Sequence, residues 1–264
     1  MEKTNYHTHT PRCLHAGGTE TEYIEAAIEN NMTILGFSDH APYPDNRFGL
    51  RMQYEELDDY LQTIKNLKKQ YKNQIEIRVG LEIEYDSEKK AYYEQLLNEK
   101  GVEYLVLGQH IYVSPNKEYI NIYSLNNTEQ YIEYAQTIKE AVQTGYFAFI
   151  AHPDVIFVND LAWDQNCELA SDIIIEAAIK TKTPLEFNAN GLRRGIQAFC
   201  DEERYPYPHP KFWSKVAKTN IPVLINADAH HCLLYTSNHY LNIFKQQKFY
   251  KKKDLWIKSL IEKS

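Results

Sequence analysis

The chain is short of everything that would make a covalent, membrane-bound or strongly basic scaffold. It has four cysteines in 264 residues, Cys13, Cys167, Cys200 and Cys232, with no Cys-x-x-Cys pair. That excludes a zinc-ribbon framework and points to free thiols in a reducing compartment. No run reaches the ~18 apolar residues of a membrane span. The opening Met-Glu-Lys-Thr-Asn has no apolar signal region, so a cytoplasmic protein without a membrane partner is expected. An excess of positive charge is also lacking. The net charge of −7 argues against a general nucleic-acid or membrane-surface binder. An anionic substrate would have to be held by local charge, from metals or a few arginines. There are no internal repeats, low-complexity tracts or linker-like shifts in composition. The length allows one α/β barrel or two small domains, and the even composition favours one domain over residues 1–264.

What is present is more informative. Hydrophobic residues make up 43% and charged residues 25% of the chain, ordinary for a globular protein. Tyrosine, at 21 residues, is abundant; most are expected to pack at strands and pocket walls. The periodicity alternates between short apolar runs and amphipathic stretches. Strands are expected at 3–6, 33–38, 75–81, 104–108, 147–151, 184–187 and 223–227. Helices are expected at 20–31, after Thr19 as N-cap, and at 54–71, 87–99, 128–144, 167–182 and 211–219, with a basic helical tail from Leu241. Strand and helix alternate about seven times, which means parallel β-α-β units and a closed barrel.

Nearly every expected strand ends in a residue able to hold a metal. His7 and His9 form a His-x-His pair, and in an extended segment both side chains take the same face. Two adjacent imidazoles make a half-site for a borderline metal such as zinc. His15 follows past a Pro-containing turn. Later strands end in His40, Glu82, His110, His152 and then Asp228 with His230. In α/β barrels the active site lies at the C-terminal ends of the strands, so closure would gather all nine. Scattered structural histidines have no reason to recur at strand ends. Asp39 and Asp154, each beside one of these residues, are expected to accept from imidazole N–H groups. His209 and His239 are read as structural.

The ordered set His7-Thr-His9, His15, Ser38-Asp-His40, Gly80-Leu-Glu82, Gly108-Gln-His110, Ala151-His152-Pro153 and Asp228-Ala-His230 resembles the polymerase and histidinol phosphatase (PHP) family over essentially the whole chain. The resemblance implies a distorted (β/α)7 barrel with two or three divalent ions, zinc, iron or manganese. It implies that His7, His9, Glu82 and Asp228 hold the first ion. Glu82, His110 and His152 would hold the second, and His15, His40 and His230 the third, with Glu82 bridging the first two. Arg51-Met52, Gln109-His110, Leu185-Glu-Phe-Asn188 and Tyr205-Pro-Tyr-Pro208 look most like the stand-alone histidinol-phosphate phosphatases. The activity implied is hydrolysis of a small phosphate ester by a hydroxide bridging two metals, with no nucleic-acid partner.

Such a site needs cations for the phosphoryl oxygens. The loop after His152 reads Val155-Ile-Phe-Val158 and has no arginine. Arg193 and Arg194, after the sixth strand, are the first candidates as catalytic cations, beside Glu82 and Asp228. Arg47 and Arg51, in the loop after His40, are the next, and Tyr112 and Asn188 are further candidates for touching substrate. Tyr112 and His231 could also orient or protonate the leaving group. Glu84, Asp45 and Asp154 could meet a substrate amine. Two rivals remain: an amidohydrolase-type barrel, expected to have eight strands and often a modified lysine, and a catalytically silent metal-binding module. Phosphotyrosine proteins and nucleotides are alternative substrates within the leading class.

Overall fold

The structure is a computed structural model that describes residues 3–232. The expected tail from Leu241 and His239 lie outside the described residues. Seven parallel strands follow one another in chain order around the sheet: β1 (Thr4–Asn5), β2 (Ile34–His40), β3 (Glu76–Ile83), β4 (Tyr104–Leu107), β5 (Phe147–Ile150), β6 (Leu185–Asn188) and β7 (Val223–Asn226). Among the described residues the barrel therefore has seven strands, one fewer than the amidohydrolase reading requires. The helices are α1 (Glu20–Glu29), α2 (Leu57–Gln70), α3 (Lys90–Asn98), α4 (Glu129–Gln143), α5 (Gln165–Thr181), α6 (Ala189–Arg193) and α7 (Pro210–Val216).

The barrel is distorted in two places. Between β5 and β6 the only ladder partners are Ile150 and Leu185. Between β7 and β1, asparagine side chains stand in for ladder bonds. Tyr6 N–H donates to Asn226 Oδ1 at 2.9 Å, and Ala227 N–H to Asn5 Oδ1 at 2.6 Å. Backbone pairing resumes at the mouth, where His9 N–H donates to Ala229 O at 2.9 Å. The first and last ligand-bearing segments are thus stitched directly to each other.

Two apolar layers hold this frame. Inside the barrel lie Tyr6, Ile34, Tyr104, Val106, Phe149 and Leu224. Tyr104 fills the interior because Gly36 and Gly80 leave it room: a Cβ there would come within 2.2 and 2.3 Å of the Tyr104 side chain. The outer layer lies between strands and helices. Eight of the twelve largest fully buried side chains are tyrosines, so the tyrosine excess is mostly core packing.

Helix starts follow local chemistry. Thr19 and Glu22 form a reciprocal capping box at α1, and Asp164 caps α5 through the N–H groups of Asn166 and Cys167, a type of cap that replaces missing intrahelical bonds. Strands β2 and β3 run on through His40 and Glu82 rather than stopping before them. Two antiparallel hairpins, Ile111–Val113 with Tyr119–Asn121 and Gln197–Ala198 with Glu203–Arg204, were not expected from periodicity. Their strands are too short to show a period, and the Pro and Asn residues around them read as loop.

Candidate metal centre

Each strand delivers its side chain to the C-terminal mouth. His40 and Glu82 are register partners on β2 and β3. Glu82 can lie across the mouth because residue 108 has no side chain. A Cβ on Gly108 would come within 2.1 Å of Glu82 Oε1. His152 and Asp228 lie just after β5 and β7, with φ of 28° and 47°. Left-handed backbone at two non-glycine residues costs of order 1–3 kcal/mol each and collects at functional sites.

Four ligand atoms form a cage. His7 Nε2 lies 3.1 Å from His9 Nε2, 3.4 Å from Glu82 Oε2 and 3.6 Å from Asp228 Oδ1. His9 Nε2 lies 3.5 Å from Glu82 Oε2 and 3.2 Å from Asp228 Oδ1. Four tetrahedral ligands at zinc bond lengths would stand roughly 3.3 Å apart, so the donor set fits a divalent ion. Glu82 Oε2 and Asp228 Oδ1 are buried and accept no hydrogen bond. The other Glu82 oxygen, Oε1, is 3.1 Å from His152 Nε2 and 3.8 Å from His110 Nε2. A third group, His15, His40 and His230, has ligand atoms within 4.8 Å of one another. His40 Nδ1 also approaches Glu82 Oε2, at 3.0 Å, and His40, Glu82 and His110 have ligand atoms within 4.8 Å of one another.

Behind the cage a second layer fixes ring orientation. His7 Nδ1 is 2.8 Å from Glu186 Oε1, and His9 Nδ1 is 3.4 Å from Asp39 Oδ1. His110 Nδ1 is 3.4 Å from Glu84 Oε1. His15 Nδ1 donates to Cys13 O at 2.7 Å. In each case the distal nitrogen is left for a cation. Asn188 and Asn190 both donate to Asp228 Oδ2 at 3.1 Å.

The electrostatics show what the cage needs. Burial alone would lower the His7 and His9 pKa values, but Glu186, Glu82 and Asp228 around His7, and Asp228, Asp39 and Glu82 around His9, outweigh it and raise both well above normal. Burial would likewise raise Glu82 and Asp228. The surrounding imidazoles outweigh it and hold both well below the carboxylate range. The pocket therefore concentrates buried negative charge that positive charge must balance.

All nine expected ligand residues come to this mouth, and Asp39 backs an imidazole as expected. Several candidates for substrate contact do not reach it. Arg51 is 5% exposed and bonds Glu84 through two nitrogens, at 2.8 and 3.0 Å. Arg51 and Glu84 thus neutralise each other behind His110. Arg47 is held by both Asp45 oxygens, Asp86 and Tyr119. Tyr112 is fully buried and donates to Glu133 at 2.9 Å on the outer layer. Asn188 is spent on Asp228 and Glu186. Arg193 donates to the carbonyls of Ala227 and Asp228, at 2.7 and 2.9 Å, and so clasps the Asp228 turn. Asp154 accepts from His209 N–H and Trp213 Nε1–H, not from an imidazole. His231 is exposed and pairs in a bridge with Gly17 at the rim.

Arg194 is the exception. It is exposed and lies over the Tyr207 ring at 5.5 Å. Its charge acts on the Tyr123 and Tyr207 hydroxyls, which also feel Asp228. Among the described residues it has no ion-pair partner. Sequence reasoning missed Glu186, fully buried and bonded to His7, to His152 N–H and to the side chains of Asn188 and Asn226. An acid on an otherwise apolar strand was the available signal.

A seven-stranded β/α barrel with histidines and carboxylates gathered at its C-terminal mouth defines a class, the metal-site barrel hydrolases. Within it, residues 5–190 match the PHP domain family, and the chain belongs to that family. It is 28% identical over 233 residues to a probable histidinol-phosphatase of Deinococcus radiodurans, covering 85% of each chain. It is 35% identical over 95 residues to the histidinol-phosphatase of Bacillus subtilis, covering 33% of this chain and 35% of that one. Two solved structures share the fold. A putative histidinol phosphatase from Listeria monocytogenes superposes with TM-score 0.74 at 20% identity, over 91% of this chain and 99% of that one. The histidinol phosphate phosphatase of Lactococcus lactis, solved with zinc, L-histidinol and phosphate, gives 0.68 at 18%, over 97% and 95%. Among the described residues no helix is long and apolar enough to cross a membrane.

Proposed function

We propose that the protein is a metal-dependent phosphomonoesterase that hydrolyses histidinol phosphate to histidinol and phosphate, as one domain over residues 1–264. The observation that carries the chemistry is Glu82, whose two oxygens face two separate imidazole groups across the mouth. The substrate follows from the relatives' names. His7, His9, Glu82 and Asp228 would hold one divalent ion. Glu82, His110 and His152 would hold a second, and His15, His40 and His230 a third. Zinc, iron and manganese all suit such ligands. When bound, such ions supply Lewis acidity and a water that ionises near neutral pH.

The chain's own contribution is positioning and charge. Glu186, Asp39 and Glu84 hold three imidazoles in the ligating tautomer. Asn188, Asn190 and Arg193 hold the Asp228 turn. Arg194 is the cation for the phosphoryl oxygens, where negative charge grows as the P–O ester bond breaks. The incoming water forms the new P–O bond, and the departing alkoxide takes up a proton. The test is turnover of histidinol phosphate against p-nitrophenyl phosphate, phosphotyrosine peptides and nucleoside monophosphates, before and after chelation. We expect the highest kcat/KM on histidinol phosphate and its loss on chelation. A higher value on phosphotyrosine or a nucleotide would sink the substrate assignment. Inertness toward every phosphoester would sink the phosphatase.

A further inference from the structure

Among the described residues, four groups of three His, Cys, Asp or Glu side chains have ligand atoms within 4.8 Å of one another. Three of the groups use only histidines and Glu82, and they make up the metal centre. The fourth is His9, Cys13 and His230. It brings in a thiol for which phosphate-ester hydrolysis has no use. Cys167, Cys200 and Cys232 belong to no such group.

Local structure holds Cys13 at the mouth. Pro11–Cys13 is one turn of 3-10 helix, started by Thr10, whose Oγ1 accepts from Arg12 N–H at 3.4 Å. Cys13 N–H donates to Thr10 O at 3.1 Å, and Cys13 O accepts from His15 Nδ1 at 2.7 Å. Cys13 is 0% exposed. The His9 and His230 rings stack with centroids 4.1 Å apart, 17° from parallel. Each has a nitrogen within 4.8 Å of Cys13 Sγ. A tetrahedral ion would hold sulfur and nitrogen roughly 3.6 Å apart, and small side-chain rotations bring the three donors to that spacing.

We propose that Cys13, His9 and His230 form a position for a soft divalent ion, of the class of cadmium or zinc, that competes with the catalytic ions. A thiolate selects soft ions and discriminates against manganese and magnesium. Binding turns the Cys13 thiol into a thiolate, and its proton leaves to solvent. The competition follows from shared ligands. His9 Nε2 faces the cage with His7, Glu82 and Asp228, and its Nδ1 faces Asp39. His230 stands in the group with His15 and His40, and its Nδ1 lies 3.2 Å from Asp228 O. An ion on Cys13 therefore draws His9 from the cage or from Asp39, and His230 from the third group or from the Asp228 turn. One soft ion here disturbs two catalytic positions. That consequence rests on the reading of His9 and His230 as ligands of catalytic ions; binding at Cys13 does not.

Two measurements test this. Cadmium chloride added to the metal-free wild type should raise a thiolate-to-cadmium charge-transfer band in the ultraviolet. Cys13→Ser should lose the band. Cys167→Ser, Cys200→Ser and Cys232→Ser should each keep it, which assigns the band by elimination should Cys13→Ser fail to fold. Absence of the band from wild type overturns the site, as does its persistence in Cys13→Ser or its loss in one of the other three variants alone. Zinc-loaded wild type treated with cadmium and desalted should lose more zinc than the cadmium it gains, by elemental analysis, whereas Cys13→Ser should exchange one for one. One-for-one exchange in the wild type overturns the competition. Neither readout involves turnover, so both stand whether or not the protein proves to be a phosphatase.

Discussion

Replacing Glu186 by glutamine keeps the shape of the most heavily used buried carboxylate and removes one acceptor. Oε1 takes hydrogen bonds from His7 Nδ1 and Asn226 Nδ2, both at 2.8 Å. Oε2 takes them from His152 N–H at 2.9 Å and Asn188 Nδ2 at 2.8 Å. A glutamine NH2 must face one of these donor pairs. Facing His7, it turns Nδ1 into an acceptor and moves the ring proton to Nε2, which can then no longer ligate. Facing His152, it leaves a backbone N–H unpaired at the end of β5. The first orientation loses the Asn226 bond and the second loses those of His152 N–H and Asn188, at about 1–2 kcal/mol each, so the metal-free protein should lose about 1–4 kcal/mol. Zinc affinity should fall 10–100-fold, the usual effect of losing an outer partner of a ligating histidine. Urea unfolding of the metal-free protein and chelator competition measure the two separately. Wild-type stability together with wild-type zinc affinity would refute the role given to Glu186.

Glu82→Gln should lower metal content and histidinol phosphate turnover together, since a carboxamide cannot present two anionic oxygens; elemental analysis beside kinetics checks it. Arg194→Ala should cost roughly 2–4 kcal/mol of transition-state stabilisation on every phosphomonoester. Arg193→Ala should instead loosen the Asp228 turn and lower metal affinity, so equal kinetic effects with unchanged metal binding would contradict the division between them. His209 caps α7 by accepting Lys211 N–H at its Nδ1, which only the neutral ring can do. Burial, with Arg204 and Lys211 nearby, pushes its pKa down to about 3. The unfolded chain takes up that proton near pH 6.5, so this contribution is intact above 6.5 and is lost as pH falls toward 3. The loss is at most about 1.4 kcal/mol per pH unit. His209→Asn keeps a capping side chain and should flatten the acid limb of a stability–pH curve by that slope; an unchanged slope would show that His209 is not responsible.

The strand and helix order, the seven-fold alternation and the set of residues at the mouth were all legible in the sequence. They depend on local quantities: apolar periodicity, the two-residue repeat of a strand, and residue types able to bind a metal. His7, His40, Glu82, His110, His152 and Asp228 stand out because each ends a run whose direction the barrel fixes. What a long polar side chain bonds is not local. Arg51 meets Glu84 across 33 residues, Arg193 meets the carbonyls of Ala227 and Asp228 across 34 and 35, and Glu186 meets His7 across 179. Nothing in the arginine pair itself separates Arg193, spent on the Asp228 turn, from Arg194, exposed beside the mouth. The pairing of β6 with β7 decides it, by bringing the Asp228 carbonyl within reach of one guanidinium and not the other. Composition and period set which side chains go to the mouth, and tertiary packing decided which of their charges are already neutralised there.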